Sequence, residues 1–289
     1  MPGHSNDPGV LYVVATPIGN LEDLTIRALR VLKEADLVAC EDTRRTGILL
    51  RSQKIPTPTT SYFEQNERWK GERILGELRQ GRSVALVSDA GTPGISDPGY
   101  RLVRDARAEG LEVVPVPGPN AAVAALSVSG LPTDRFLFVG FLPPRAGPRR
   151  RALEELAAVR PTLVFYESPV RAAAALAAMA EVLGNRDAFL CREATKVHEE
   201  YLRGTLLELR ETLAARDRVR GELVLVVAGA PETSPKTDET PEVLYARIVS
   251  DRRTSRREAV KEVARQLGLP AREVYRRVLE AEKGSSGAS

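Results

Sequence analysis

The chain has 289 residues, which is long for one hydrophobic core and favours two domains. Its 43% hydrophobic and 28% charged residues are typical of a globular protein and exclude a disordered or fibrous one. The net charge of +3 hides an asymmetry, because residues 245–283 carry 11 Lys/Arg against 6 Asp/Glu. A basic C-terminal segment on a nearly neutral body suits a polyanionic partner.

Missing signatures exclude several kinds of site. No apolar run approaches the roughly 18 residues of a membrane span, and the N-terminus lacks the regions of a signal peptide, so we expect a cytoplasmic protein. Cys40 and Cys191 are the only cysteines and lack Cys-x-x-Cys spacing, which predicts two buried thiols. The sequence also lacks the zinc-hydrolase, P-loop and dinucleotide-binding motifs, so no metal is expected.

From residue 10 to residue 130 short apolar runs alternate with segments of helical periodicity. Strands are predicted at 10–14, 37–40, 84–87 and 113–116, and helices at 25–35, 69–80 and 100–109. This alternation indicates a largely parallel sheet covered on both faces. Residues 1–9 are expected to form a flexible tail.

A second α/β domain is predicted over residues 131–230. Its pattern gives strands at 136–140, 162–166, 188–192 and 222–228, and helices at 150–159, 170–183 and 205–215. Residues 231–240 have the composition of a linker. Residues 241–283 predict a basic module of two or three short helices, followed by a tail at 284–289.

Four loops follow predicted strands, at residues 15–20, 41–45, 88–99 and 117–121. The longest holds three Gly, two Pro and two Asp, a composition that excludes regular structure. Open parallel sheets bind ligands at such strand ends, and free backbone groups there can hydrogen-bond an adenosine and an amino-acid moiety without a metal. Each loop also has an ordinary alternative, because Pro-Gly-Pro-Asn can be a tight turn and Asp89 a helix cap.

Charged residues cluster after three predicted strands. Residues 41–45 place two acids and two bases together. They are either a solvated helix start or a polar cluster of the cleft. In the second case Arg44 or Arg45 contacts phosphate and an acid assists proton removal. Residues 166–171 and 192–196 form two further sets. Within the last set, Lys196 is either a surface lysine or a substrate contact.

Two basic segments are candidates for nucleic-acid contact. Residues 145–151 hold four Arg without an acid, as a solvated Pro/Gly loop or as a contact to phosphates. Residues 255–275 have helix-turn-helix spacing, which suits RNA contact or a protein-docking cap. The predicted RNA contacts are Arg145, Arg149, Arg150, Arg151, Arg256, Arg257 and Arg276.

Five motifs occur in the order of a known family, at residues 16–23, 41–44, 88–99, 117–121 and 165–169. Together they resemble the small-subunit ribosomal RNA methyltransferases of the tetrapyrrole methylase superfamily, over residues 10 to 283. The tetrapyrrole enzymes usually carry Gly-Asp-Pro at the glycine loop, whereas this chain has Ser-Asp-Ala-Gly-Thr-Pro. That departure favours RNA over a porphyrin as the methyl acceptor.

The resemblance implies two α/β domains of the tetrapyrrole methylase type, with S-adenosylmethionine (AdoMet) bound in the cleft between them, and a homodimer. It implies methyl transfer to the ribose 2′-oxygen of a cytidine in small-subunit ribosomal RNA, either as free RNA or in the assembled 30S subunit. The AdoMet contacts it implies are Pro17, Asp89, Gly91, Thr92, Pro93, Asn120, Ala121, Tyr166, Ala228 and Gly229.

Transfer to a hydroxyl requires that its proton be removed, and a carboxylate or a nearby cation can assist. The candidates are Glu41, Asp42, Arg44 and Lys196. Two alternative functions stay open. One is methylation of a tetrapyrrole or another small acceptor by the same fold, and the other is a non-catalytic RNA-binding protein associated with the ribosome.

Overall fold

The computed structural model describes residues 8–231, 239–250, 255–267 and 269–286. Residues up to Gly229 form one compact unit, and those from Ala230 onward form a second. The expected N-terminal tail and linker lie mostly outside the described residues, as does half of the expected C-terminal tail.

The first unit begins with a parallel five-stranded sheet. Its strands are β1 (Val10–Val14), β2 (Leu37–Cys40), β3 (Thr59–Ser61), β4 (Val84–Val87) and β5 (Glu112–Val116). They lie in the order β3-β2-β4-β1-β5, and every neighbouring pair is parallel. A short 3-10 helix at Leu21–Asp23 and the helices α1 (Ile26–Glu34), α2 (Thr43–Ser52), α3 (Glu67–Arg79) and α4 (Tyr100–Ala108) make the connections.

Helices cover both faces of this sheet, as the sequence predicted. Leu32 of α1 and Leu50 of α2 are buried on one face, and Ile74 of α3 and Leu102 of α4 on the other. Each of these helices follows a strand of the sheet, after a connecting loop. The carboxyl ends of all the strands, and the loops that follow them, therefore lie along one edge of the sheet.

The second sheet is mixed. After α5 (Ala121–Val128), its strands are β6 (Phe136–Phe141), β7 (Thr162–Glu167), β8 (Asp187–Arg192), β9 (Glu200–Thr205) and β10 (Leu223–Val227). They lie in the order β6-β7-β10-β8-β9, and only β6 and β7 are parallel. The remaining helices of this unit are α6 (Ala146–Leu156), α7 (Ala172–Leu183) and α8 (Leu206–Ala214).

The helix α5 covers one face of the second sheet, with Ala125 and Leu126 against Val164 and Phe189. Leucines of α6, α7 and α8 fill the other face. Both cysteines are buried and free, as predicted. Among the described residues, no helix is long and apolar enough to cross a membrane.

The second unit contains α9 (Pro241–Ser250), α10 (Arg256–Leu267) and α11 (Ala271–Ser286). Its core holds apolar positions of these helices, among them Ala259, Val263, Val274 and Val278. The arginines at 256, 257, 272, 276 and 277 are exposed, so the basic helical module has an apolar inside and a basic outside.

Candidate active site

A cavity of about 400 Å³ lies at the carboxyl edge of the first sheet and is lined by residues of both sheets. The first sheet contributes all four predicted strand-end loops, through Ile18, Glu41, residues 89–92 and Asn120. The order β2-β4-β1-β5 brings these loops side by side, because the four strands are neighbours. A cavity therefore lies where the sequence predicted a ligand site.

Backbone hydrogen bonds join these loops into one wall. The N–H of Thr16 donates to the Gly91 carbonyl at 2.9 Å, and the N–H of Gly91 donates back to the Thr16 carbonyl at 3.0 Å. The hydroxyl of Thr92 donates to the carbonyl of Pro119 at 3.3 Å. Gly91 has φ +81°, a conformation that side chains disfavour. Main-chain hydrogen bonds therefore hold this wall together.

The second sheet supplies the apolar side of the cavity. Tyr166 at the end of β7 packs edge-on against Phe141, with 5.6 Å between ring centroids. Cys191, Leu223 and Val224 complete this side. An apolar wall opposite a polar main-chain wall suits a flat ring with hydrogen-bonding edges.

Two glycines allow the halves of this unit to approach closely. A Cβ on Gly19 would lie 2.4 Å from Cγ of Lys196 and 3.0 Å from the Ala194 carbonyl oxygen. A Cβ on Gly140, at a bulge in β6 with φ +74°, would lie 3.0 Å from the Ser96 hydroxyl oxygen. Both contacts flank the cavity, since Ala194, Lys196 and Ser96 line it.

The polar groups that line the cavity are predominantly acidic. Glu41, Asp89, Asp97, Glu167 and Glu222 carry carboxylates, whereas Arg45 and Lys196 carry the cations. The Arg45 guanidinium pairs with Asp89 at 3.2 Å, and the Asp89 carboxylate also accepts the N–H of Asp42 at 3.0 Å.

Burial and mutual repulsion perturb two of these carboxyls. Burial and the nearby Glu41 charge raise the pKa of Asp97 to about 6, against a hydrogen bond from Ser88 that lowers it. Burial, together with Asp89, also raises the pKa of Glu41. A carboxylate with such a pKa accepts a proton more readily than an ordinary aspartate near neutral pH.

Lys196 is held by two carboxylates. Its Nζ lies 2.7 Å from Oε1 of Glu193 and 3.1 Å from Oε2 of Glu222. Burial lowers the pKa of Lys196, but these hydrogen bonds outweigh it and the pKa is raised overall. Lys196 therefore keeps its proton and suits a charge-stabilising role rather than that of a base.

The structure brings many of the predicted residues to the cavity. Those that line it are Glu41, Asp89, Gly91, Thr92, Asn120, Ala121, Tyr166 and Lys196. Pro17 and Pro93 belong to the same loops but do not line it. Whether the lining residues contact AdoMet stays a prediction.

Asp42 and Arg44 are not brought to the cavity. The Asp42 carboxylate caps α2 by accepting the N–H of Arg44 at 2.8 Å, and the Arg44 guanidinium folds back onto it at 2.8 Å. These hydrogen bonds lower the pKa of Asp42 to about 2. The Arg44 side chain is 89% exposed, so the helix-start alternative describes both residues, and Arg45 is the arginine that reaches the cavity.

Ala228 and Gly229 lie at the wrong end of β10 to close the cavity. Because β10 is antiparallel to β7 and β8, its beginning at Leu223 adjoins Arg192 and the cavity. The N–H of Ala228 instead donates to Asp187, at the start of β8. Gly221 and Glu222 occupy the position that was expected for Ala228 and Gly229.

The predicted arginine-rich loop is the first half of α6. Ala146 begins the helix, and Pro148 fits in its first turn, where a backbone N–H has no helical partner. Arg150 forms ion pairs with Glu154 and Glu181, so its charge is already neutralised. Arg145 and Arg151 are exposed, and their contact with RNA stays a prediction.

Sequence reasoning missed Asp97 and Glu222 as individual site residues, and it did not choose between Arg44 and Arg45 as the arginine of the cluster at 41–45. Asp97 had a signal, since it is the second aspartate of the loop at 88–99. Glu222 had none, because nothing in the sequence shows which end of β10 faces the cavity. Within the described residues no group of His, Cys, Asp and Glu has the arrangement of a metal site.

Comparison with known proteins identifies the family. The Tetrapyrrole (Corrin/Porphyrin) Methylases family matches residues 10–210. A relative from Halalkalibacterium halodurans named ribosomal RNA small subunit methyltransferase I is 48% identical, over 93% of this chain and 94% of its own length. A relative of the same name from Mesorhizobium japonicum is 49% identical over 96% and 93%.

A third relative of that name, from Thermotoga maritima, is 47% identical over 76% of this chain but 99% of its own length. Among solved structures, a Thermus thermophilus uroporphyrin-III C-methyltransferase complexed with S-adenosyl homocysteine superimposes with a TM-score of 0.54 at 24% identity, covering 75% of this chain and 97% of that one. That likeness shows the fold. The chain therefore belongs to the tetrapyrrole methylase family.

Proposed function

We propose that this chain transfers a methyl group from AdoMet to the ribose 2′-hydroxyl of a cytidine in small-subunit ribosomal RNA. The observation that carries the proposal is the acidic cavity at the strand-end loops of a chain whose relatives, at 48% and 49% identity, are named ribosomal RNA small subunit methyltransferase I. The departure from Gly-Asp-Pro in the loop at 88–99 supports the same acceptor.

The lining residues fit AdoMet. A sulfonium is a permanent cation, and a cavity with more carboxylates than cations favours it electrostatically. Polar groups of the strand-end loops that line the cavity, such as the Asn120 amide, can hydrogen-bond the amino-acid moiety, and Tyr166 offers an aromatic face for the adenine. AdoMet, when bound, supplies an electrophilic methyl group attached to a neutral leaving group.

The protein's own part is to place the acceptor in line with that methyl group and to accept the hydroxyl proton. Asp97 and Glu41 line the cavity and have raised pKa values, so they are the carboxylates suited to take the proton. The cations of Lys196 and Arg45 can stabilise the developing alkoxide. Asp42 and Arg44 have no place in this scheme.

The second unit is proposed to supply affinity for RNA rather than chemistry. Its exposed arginines, including Arg257 and Arg276, suit contacts with phosphates. We also expect a homodimer and a cytoplasmic location.

Two measurements test the proposal. Calorimetric titration with AdoMet should show binding, and incubation with 30S subunits or free ribosomal RNA should place one ribose methyl group, located by mapping. A chain that binds RNA but not AdoMet would be a non-catalytic binder. A chain that binds AdoMet and methylates a tetrapyrrole but not RNA would refute the acceptor.

A further measurement tests the role of the second unit. An Arg257→Gln/Arg276→Gln variant should bind RNA with a weaker salt dependence than the wild type.

A further inference from the structure

The amino-terminal ends of α3 and α4 lie beside the cavity loop. Both helices follow strands of the parallel sheet, so both begin at the edge where the cavity opens. Glu67 ties the two starts together, since its carboxylate accepts the N–H of Gly99 at 3.4 Å and pairs with Arg101 at 3.3 Å. Tyr100 directly follows the loop that carries Asp97.

Two large aromatic side chains are exposed on these helix starts. Trp69 is 59% exposed and Tyr100 is 69% exposed, although both rings would gain by burial. Nζ of Lys70 lies 4.9 Å from the centroid of the Trp69 ring, a cation–π contact. Neither ring belongs to a hydrophobic cluster of the fold.

Cations lie on the same helix starts as the rings. Arg68 and Arg73 are exposed on α3, and no described carboxylate forms an ion pair with either. Arg104 lies one turn along α4 from Tyr100, but it pairs with Asp105 at 2.7 Å. A mixture of exposed rings and guanidinium groups is unsuited to an apolar partner, because binding one would desolvate the charges.

This chemistry matches single-stranded RNA. Bases stack on exposed aromatic rings, while arginine and lysine contact the phosphates between them. A nucleotide whose ribose reacts in a cavity must leave its helix or loop, which also unstacks its neighbours. Those neighbours need a surface next to the cavity mouth.

We propose that Trp69 and Tyr100, with Arg68, Lys70 and Arg73, form a stacking platform for the nucleotides that flank the acceptor nucleotide. The proposal rests on the proposed function, since it presumes an RNA acceptor. It adds a binding surface on the first unit, separate from the basic module. Specificity for the acceptor's surroundings would then arise beside the cavity itself.

The test compares RNA affinity in the full-length protein. A Trp69→Ala/Tyr100→Ala variant and the wild type are titrated with a short single-stranded oligoribonucleotide, followed by fluorescence anisotropy at several salt concentrations. Each missing ring should weaken RNA binding at least fivefold, and the double variant lacks both rings. The salt dependence should stay unchanged, because stacking releases no counterions, whereas Arg68→Gln/Arg73→Gln should reduce it. AdoMet affinity should be unchanged in both variants.

Controls separate this result from other causes. Ile26, 87% exposed on α1, lies on the opposite face of the sheet, so Ile26→Ala should bind RNA as the wild type does. Trp69→Phe should keep most of the affinity. Unchanged RNA affinity in the double alanine variant refutes the platform. A change of this variant from dimer to monomer on a sizing column also refutes it, because the rings would then serve self-association. A wild type that transfers no methyl group to RNA refutes the proposed function instead.

Discussion

Asp97 should destabilise the ligand-free protein at neutral pH. Its pKa is raised from the ordinary value of 3.8 to about 6, chiefly by burial and by the Glu41 charge. The folded protein therefore binds the proton more tightly than the unfolded chain does. The free energy of unfolding must then fall as pH rises from about 4 to about 6, and stay lowered above that range.

The size of the effect follows from the two pKa values. At about 1.4 kcal/mol for each pH unit between 3.8 and about 6, ionised Asp97 costs up to about 3 kcal/mol at pH 7.5. Asp97→Asn removes the charge and keeps the shape. For a protein of this size, the variant should melt about 5 °C higher than the wild type at pH 7.5, and at nearly the same temperature at pH 4.

Thermal unfolding without AdoMet, followed by circular dichroism from pH 4 to pH 8, measures this difference. Glu155→Gln is the matched control, because Glu155 is an exposed carboxylate on α6, remote from the cavity. A melting difference that does not depend on pH would refute the reasoning. In calorimetry the stabilised variant should bind AdoMet less tightly, because the sulfonium loses a carboxylate.

Three further substitutions, two of them with a matched control, test the site and its support. Gly19→Ala should weaken AdoMet binding about tenfold, since its Cβ would lie 3.0 Å from the Ala194 carbonyl oxygen. The control is Gly76→Ala, which has open space around it and should raise the free energy of unfolding by about 0.5–1 kcal/mol. Arg45→Ala should reduce the methyl-transfer rate at least tenfold, while Arg44→Ala should change it less than twofold, as measured by initial rates. Arg171→Met should lower the free energy of unfolding in urea by about 3 kcal/mol, because it strands the buried Glu167 carboxylate.

Each of these expectations has a clear contrary outcome. Equal AdoMet affinity in the Gly19 and Gly76 variants would show that the approach of the two halves does not shape the cavity. Equal losses from Arg44→Ala and Arg45→Ala would mean that lining the cavity does not distinguish the two arginines. If adding Glu167→Gln to Arg171→Met restores no stability, then the stranded charge is not the cause.

The parallel sheet and its loops were predictable because their signals are local. Apolar runs such as 84–87 alternate with helical periodicity, and Gly, Pro and Asp mark the ends of strands. Parallel strands then place every such loop at one edge without further information. The position of the cavity in the fold was therefore predictable from the sequence.

The elements that the sequence missed have weak or ambiguous local signals. The edge strand β9 reads Glu-Tyr-Leu-Arg-Gly-Thr, whose charges suit its exposure but hide its pairing with β8. β3 was missed as well, and α2 was considered only as the helix-start alternative at residues 41–45. The direction of β10 has no signal at all, because a buried strand reads the same whether its neighbours are parallel or antiparallel. That is why the residues at its two ends were exchanged.

Pairing between residues far apart decided the roles of the charged side chains. Arg44 and Arg45 are neighbours of the same type, yet only the latter meets Asp89, 44 residues away. Glu181 neutralises Arg150 from a different helix. Such contacts depend on the assembled fold, so residue type and spacing alone could not assign them.

The two hydrogen bonds between Thr16 and Gly91 bear on how such a protein can change over time. Hydrogen bonds between main-chain groups survive most amino-acid replacements, provided that the glycine which permits the turn is kept. The opposite side of the cavity includes the side chains of Phe141, Tyr166 and Leu223, whose replacement would change its shape. A protein family with this cavity can therefore keep one methyl donor while its members differ in the size of the methyl acceptor.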